Sequence, residues 1–158
     1  LSSAAVAEAR SRVEKAGLLN KVSIRQGNLE EPLAFGTNSF DLCLDCYVFC
    51  HFLNDQVKGH YVEELCRVTK PGGYAISVLF SPQDEYYARL VVADCEPIIV
   101  KDRANSIVKE LYTGEKFKRA FSPPFDVQYF VQFEFDDIVQ GTHYRRDILA
   151  MALQKTRG

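Results

Sequence analysis

Two apolar runs with a helix-patterned stretch between them constrain the fold of this 158-residue chain more than any other feature. Phe40 to Phe49 (FDLCLDCYVF) reads as a strand buried on both faces, and Tyr74 to Phe80 (YAISVLF) as another buried strand. Between them, from about Asp55, Val57, Tyr61, Leu65 and Val68 recur at helical spacing. Lys70-Pro71-Gly72-Gly73 stops that helix, because Pro cannot continue it and paired Gly permit a turn. A strand, a helix and a second strand in this order make the unit of parallel sheets with crossover helices.

The flanking segments extend the alternation. Residues 4–16 place Val6, Ala9, Val13 and Ala16 on one helical face, with Ser2 or Ser3 to cap the helix and Gly17 to end it. Val22 to Gln26 predicts a short strand, closed by Gly27 and the polar group Asn28, Glu30, Glu31 and Pro32. Ser81-Pro82 predicts the cap and first position of a helix over roughly 83–93. Residues 94–112 carry no clear period, and 113–121 predict a short helix. Val127, Tyr129, Val131, Phe133 and Phe135 alternate with polar residues over most of a strand with one wet face, its apolar stripe read as core. A buried strand over Arg145 to Lys155 completes an antiparallel pair, with Gly141 in the connection. The expectation is a single α/β domain over 1–158: a mostly parallel sheet flanked by helices, with a C-terminal antiparallel strand pair.

Composition narrows the function. Nineteen Lys and Arg against 21 Asp and Glu give a net charge of −2, which argues against nucleic acid or an anionic membrane as partner. No apolar run approaches the length of a membrane-spanning helix. Cys43, Cys46, Cys50, Cys66 and Cys95 are an odd set, three of them in an apolar stretch, which points to a reducing compartment such as the cytoplasm. Cys43-x-x-Cys46-x-x-x-Cys50-His51 invites a metal reading, but residues 43 and 46 of a strand point to opposite faces, so no metal is expected.

Ligands of open parallel sheets bind beyond the carboxyl ends of the strands. Three such ends stand in order: Gly27-Asn28-Leu29, Asp45-Cys46-Tyr47 and the turn before Tyr74. Asn28 can hydrogen-bond the edge of a planar heterocycle while Leu29 packs on its face, the mixed lining a buried ligand needs. Gly-Asn after a strand is equally ordinary turn chemistry.

The stretches LSSAAVAEAR, VSIRQGNLEE, FDLCLDCYVFCHFL, YVEELCRVTKPGGYAISV and the closing pair FDVQYFVQFEF and RRDILAMALQK together resemble class I S-adenosylmethionine-dependent methyltransferases of the small-molecule type. Residues 82–124 match least. The resemblance implies a Rossmann-like fold, S-adenosylmethionine as cofactor and a small-molecule methyl acceptor. Carried over by position, it implies that Asn28 meets the adenine amino group and Leu29 the adenine face, with Gly27 beside them in the cofactor-binding set. It likewise places Asp45 and Cys46 beside the methionine part, with Tyr47 and Phe49 walling the pocket near the methyl group. The ribose-binding acid of the family would fall just before Leu1, which itself joins the cofactor-binding set. The chain departs from the family at its start: no G-x-G-x-G is present, so the N-terminal βαβ unit is missing and a segment upstream of Leu1 is expected. For residues 1–158 alone, weak or no cofactor binding is expected.

Tyr47 and His51 are the candidates for a catalytic role, His51 as a base because its charge changes near neutral pH, although a packing role accounts for it as well. Asp84, Tyr86 and Tyr87 stand where this family often builds a substrate lid, and Arg145-Arg146 reads as surface. A non-catalytic interaction module, including a homodimer that fills the missing strands, is the alternative. A nicotinamide dehydrogenase needs a glycine fingerprint that the chain lacks.

Overall fold

The computed structural model describes residues 3–93, 95–102 and 106–156. They form two compact units, Leu1–Ala34 and Phe35–Gly158, each described by itself.

In the first unit, helix α1 spans Ser3–Lys15 and ends as its sequence predicts. Gly17 takes φ +68°, and its N–H reaches the Glu14 carbonyl at 2.9 Å. The expected strand over 22–26 does not form. A strand exists only by pairing, and this segment has no ladder; side chains hold its backbone instead, as where Arg10 donates to the Ile24 carbonyl at 3.5 Å.

The second unit opens with strand β1 (Phe40–Cys46), a short 3-10 turn (Phe49–His51), helix α2 (Asp55–Val68) and strand β2 (Thr69–Phe80). Asn54 caps α2 through its side-chain oxygen, which accepts from Gln56 and Val57 N–H. The helix ends at Val68, and Pro71 to Gly73 bulge out of the strand that follows. Phe40 pairs with Thr69 and Leu42 with Tyr74, so five residues of β2 advance against two of β1.

The main sheet has the order β1-β2-β7-β6, with β6 at Phe125–Val139 and β7 at Thr142–Lys155. The pair β1–β2 is parallel, and β2–β7 and β7–β6 are antiparallel. Three strands therefore point one way and β7 opposes them, giving the Rossmann-like sheet and the C-terminal hairpin. Between β2 and β6 lie α3 (Glu85–Ala88), a small antiparallel sheet of β3 (Val91–Ala93), β4 (Ile98–Lys101) and β5 (Val108–Leu111), and helix α4 (Gly114–Phe121). The predicted helix over 83–93 stops after one turn, capped by Asp84 rather than Ser81. Val91 pairs with Val100 across the small sheet, and that ladder outcompetes further helix.

One face of the main sheet is a close-packed core. Ala75, Leu79, Leu149, Met151 and Leu153 are essentially inaccessible and lie with Phe49, Phe117 and Phe121 among the fully buried residues. The rings of Phe49 and Phe121 sit 4.7 Å apart. The other face differs from expectation. Leu44 (67% exposed), Ile76, Ala152 and Tyr129 (64%) form one row across it, and Cys46, Val78, Ala150 and Val131 the next. Thus β1 is an edge strand with an exposed face rather than one buried on both sides, and the stripe Tyr129, Phe133, Phe135 is exposed rather than core. Apolar pattern marks which residues can be buried, not what arrives to bury them. No helix among the described residues is long and apolar enough to cross a membrane.

Candidate active site at the strand tips

The carboxyl ends of β1 and β2 lie side by side, because Cys46 pairs with Val78 and Tyr47 N–H reaches the Val78 carbonyl at 2.9 Å. Asp45, 1% exposed, organises the turn that follows. One oxygen accepts from the N–H of Val48 (3.0 Å) and of Phe49 (3.3 Å); the other accepts from Ser77 Oγ at 2.9 Å. Burial pushes its carboxyl above the ordinary aspartate value, while these three bonds favour the anion. Its two oxygens already hold protein partners, so Asp45 shapes the tip from beneath. Cys46 is exposed on the open face.

Tyr47 adopts φ +57°, a left-handed conformation that costs a non-glycine residue about 1–2 kcal/mol. The β1–β2 ladder and the Asp45 cap hold it there. Its ring stacks on Phe80, the last residue of β2, with centroids 4.3 Å apart and planes 12° from parallel. Burial raises the phenol above its usual value, so at neutral pH Tyr47 is a protonated wall and a hydrogen-bond donor, not a base. His51 closes the 3-10 turn. Partial burial, then the charge of Lys109, lower its imidazole, against a hydrogen bond to the Val108 backbone. The neutral ring that results can accept a proton. Cys50, which donates to the Tyr47 carbonyl at 3.4 Å, is pushed by burial up to about 12 and stays a thiol.

Phe80 gathers groups that the sequence does not connect. Arg146 lies 4.6 Å over its ring and Tyr87 4.7 Å away. Arg146 is 6% exposed, contrary to its reading as surface. It donates to Asp84 at 2.7 Å and Asp137 at 3.0 Å, fixing α3 to β7. Asp147 accepts from Ser81 and Gln132 beside it. Lys109 donates to the Tyr87 hydroxyl at 2.7 Å. No periodicity singles out Lys109 or Arg146; their burial depends on which strands neighbour them.

Gly27, Asn28 and Leu29 belong to the first unit. The Asn28 amide serves its own turn there: Oδ1 accepts from Glu30 N–H at 3.2 Å and Nδ2 donates to Glu31 at 3.2 Å. Leu29 is half-buried. Leu1 lies outside the described residues. Among the described residues no three His, Cys, Asp or Glu side chains converge on a metal position.

A methyltransferase-domain family matches residues 1–77. No curated protein matches the chain. Among solved structures, a S-adenosylmethionine-dependent methyltransferase from Methanosarcina mazei superimposes with a TM-score of 0.75 at 18% identity, covering 99% of this chain and 80% of its own. A methyltransferase-like protein of Bacillus halodurans gives 0.70 at 17% identity, with coverage of 99% and 80%. The [4+2]-cyclase SpnF gives 0.69 at 13% identity, covering 99% of this chain and 65% of its own. The shared fold thus accompanies more than one activity, and the reacting groups lie in the chemistry of the strand tips.

Proposed function

We infer that this chain, which carries a methyltransferase domain over residues 1–77 and the class I methyltransferase fold, transfers methyl groups from S-adenosylmethionine to a small molecule by direct in-line displacement. The observation that carries this reading is the strained Tyr47 stacked on Phe80 where the tips of β1 and β2 meet. Strain held at a strand tip is characteristic of a ligand site, and an aromatic face attracts the cationic sulfonium. The cofactor supplies a methyl group on a good leaving group, so the protein contributes alignment and exclusion of water, worth about 7–11 kcal/mol.

The residues divide the work. Tyr47 and the exposed Cys46 border the methionine end, with Phe49 behind them closing the turn from the core side. Asp45 holds that border rigid through its three hydrogen bonds. The resemblance alone puts Gly27, Asn28 and Leu29 in the adenine part of the cofactor set, a role for which the Asn28 amide would exchange its turn partners for a base edge. Leu1 takes its place in the cofactor set by sequence position alone. Neutral His51 receives the acceptor's proton where the acceptor must lose one. Free cysteines suit a reducing, cytoplasmic setting, and the whole chain acts as one methyltransferase-like domain.

Calorimetric titration with S-adenosylhomocysteine tests the reading. Residues 1–158 alone are expected to bind weakly or not at all, and the chain carrying its upstream segment to bind saturably, an affinity lost in Tyr47→Ala and retained in Tyr47→Phe; absence of saturable heat with the longer form ends the reading. A second reading, an interaction or dimerisation module, is favoured by the exposed rows on the open sheet face. Light scattering separates the two: a concentration-dependent dimer without affinity for the nucleoside supports the module.

A further inference from the structure

We propose that Lys109 selects a methyl acceptor carrying an anionic oxygen on an aromatic body, a specificity that rests on the methyl-transfer reading above. Lys109 stands on β5 opposite Val100, so its side chain shares a face with Val100 and Leu111. That face is the apolar cluster of Tyr87, Val100 and Leu111, against which Phe80, Tyr86 and Leu90 pack. A cation there is out of place. The residue is 9% exposed, and its ammonium meets one neutral oxygen, the Tyr87 hydroxyl at 2.7 Å. Two aromatic faces supply the rest: Tyr87 at 4.5 Å and Phe80 at 5.8 Å.

Three other cations of this unit have carboxylate partners, and half-buried Lys155 has three oxygen acceptors. Arg146, the second cation buried below a tenth, has Asp84 and Asp137. Lys58 has Asp55 at 3.0 Å and Glu110 at 2.6 Å, and Lys116 has Glu96 and Glu110. Among the described residues no carboxylate pairs with Lys109. A buried ammonium without a counter-ion is costly, and Glu110, its neighbour in sequence, turns to the opposite side of β5 and is consumed by Lys58 and Lys116. The site is therefore short of one negative charge.

Its position identifies what supplies the charge. The ammonium lies over Phe80, the ring on which Tyr47 stacks at the strand tip, and its field reaches His51 and Cys50 on the same turn. An acceptor held against Tyr47 and Phe80 can place a carboxylate or phenolate toward Lys109, leaving His51 free for a proton. The rings that surround the cation favour a flat apolar body.

Benzoate, phenol and benzamide serve as probes, titrated into the chain by NMR with and without S-adenosylhomocysteine. Benzoate is expected to bind at least tenfold more tightly than its neutral isostere benzamide, and phenol to gain affinity as pH rises toward its own ionisation if the oxygen is a phenolate. Lys109→Met should abolish the preference while melting at the wild-type temperature or above, because it removes an uncompensated charge. Lys109→Arg should keep the preference. A wild-type ratio near one, or a preference that survives in Lys109→Met, overturns the proposal, and the wild-type ratio decides alone should that variant fail to fold. Binding of S-adenosylhomocysteine without anion preference overturns this inference and leaves the methyl-transfer reading standing; anion preference in a chain that, with its upstream segment, binds no nucleoside overturns both, and leaves Lys109 an anion site without a methyl-transfer role.

Discussion

Asp45 shows how a single buried carboxylate converts a strand end into a rigid tip. It carries a desolvation cost and repays it through two backbone N–H groups and the Ser77 hydroxyl. Asp45→Ala leaves those donors without a partner and should lower stability by about 1–3 kcal/mol in urea unfolding. Asp45→Asn keeps the oxygen that receives Val48 and Phe49 and should fold at least as stably as wild type at pH 7. The sign of the pH effect follows from the raised carboxyl. Its contribution is full below the unfolded value of 3.8 and declines as pH rises through the folded one, so Asn gains most on wild type at neutral pH and least in acid. The thiols divide by the same logic. Cys46 and Cys95 are exposed whereas Cys50 is buried and held at about 12. Iodoacetamide at pH 8 should label Cys46 and Cys95 well before Cys50, as read by peptide mass mapping.

At the scale of elements, strong local signals survived and the weak ones yielded to pairing. The spacing of Val57, Tyr61, Leu65 and Val68 made α2 legible, since a helix satisfies its hydrogen bonds within its own segment, and the structure adds the Asn54 cap. The small sheet was not legible, because strands of three and four residues are too short for a period and are held by one another. The strand over 22–26 failed for the converse reason: its pattern was adequate, its ladder absent. Two glycines separate turn chemistry from packing. A Cβ at Gly73 would come within 2.9 Å of the Lys70 carbonyl oxygen and 3.0 Å of that of Asp41, inside the β1–β2 bulge. Gly59 in α2 meets nothing within 4 Å. Gly73→Ala should therefore cost about 1–3 kcal/mol, and Gly59→Ala should stabilise by about 0.5–1 kcal/mol, both measurable by thermal unfolding.

For the whole molecule, pH provides a global readout of the site. The His51 value is lowered below 6.5 in the fold, so the unfolded chain binds the extra proton first. Stability should be full above 6.5 and fall as pH drops through that value toward the folded one, and His51→Gln should flatten this part of the urea midpoint against pH. Conversely, Lys109 draws its effect from the meeting of β5, α3 and the end of β2, an arrangement that no local pattern announces. Periodicity and turn chemistry were enough to reveal the α/β alternation, the C-terminal hairpin and the strand end Asp45-Cys46-Tyr47, because helices, turns and strand ends are written in neighbouring residues, while the roles assigned to that end came from the family resemblance. Which face of β1 is covered, where Arg146 and Lys109 are buried, and that Asp45 is spent on its own turn were settled by contacts between segments distant in sequence. Burial and charge compensation belong to pairs of elements, and a pair has no signature in either member alone.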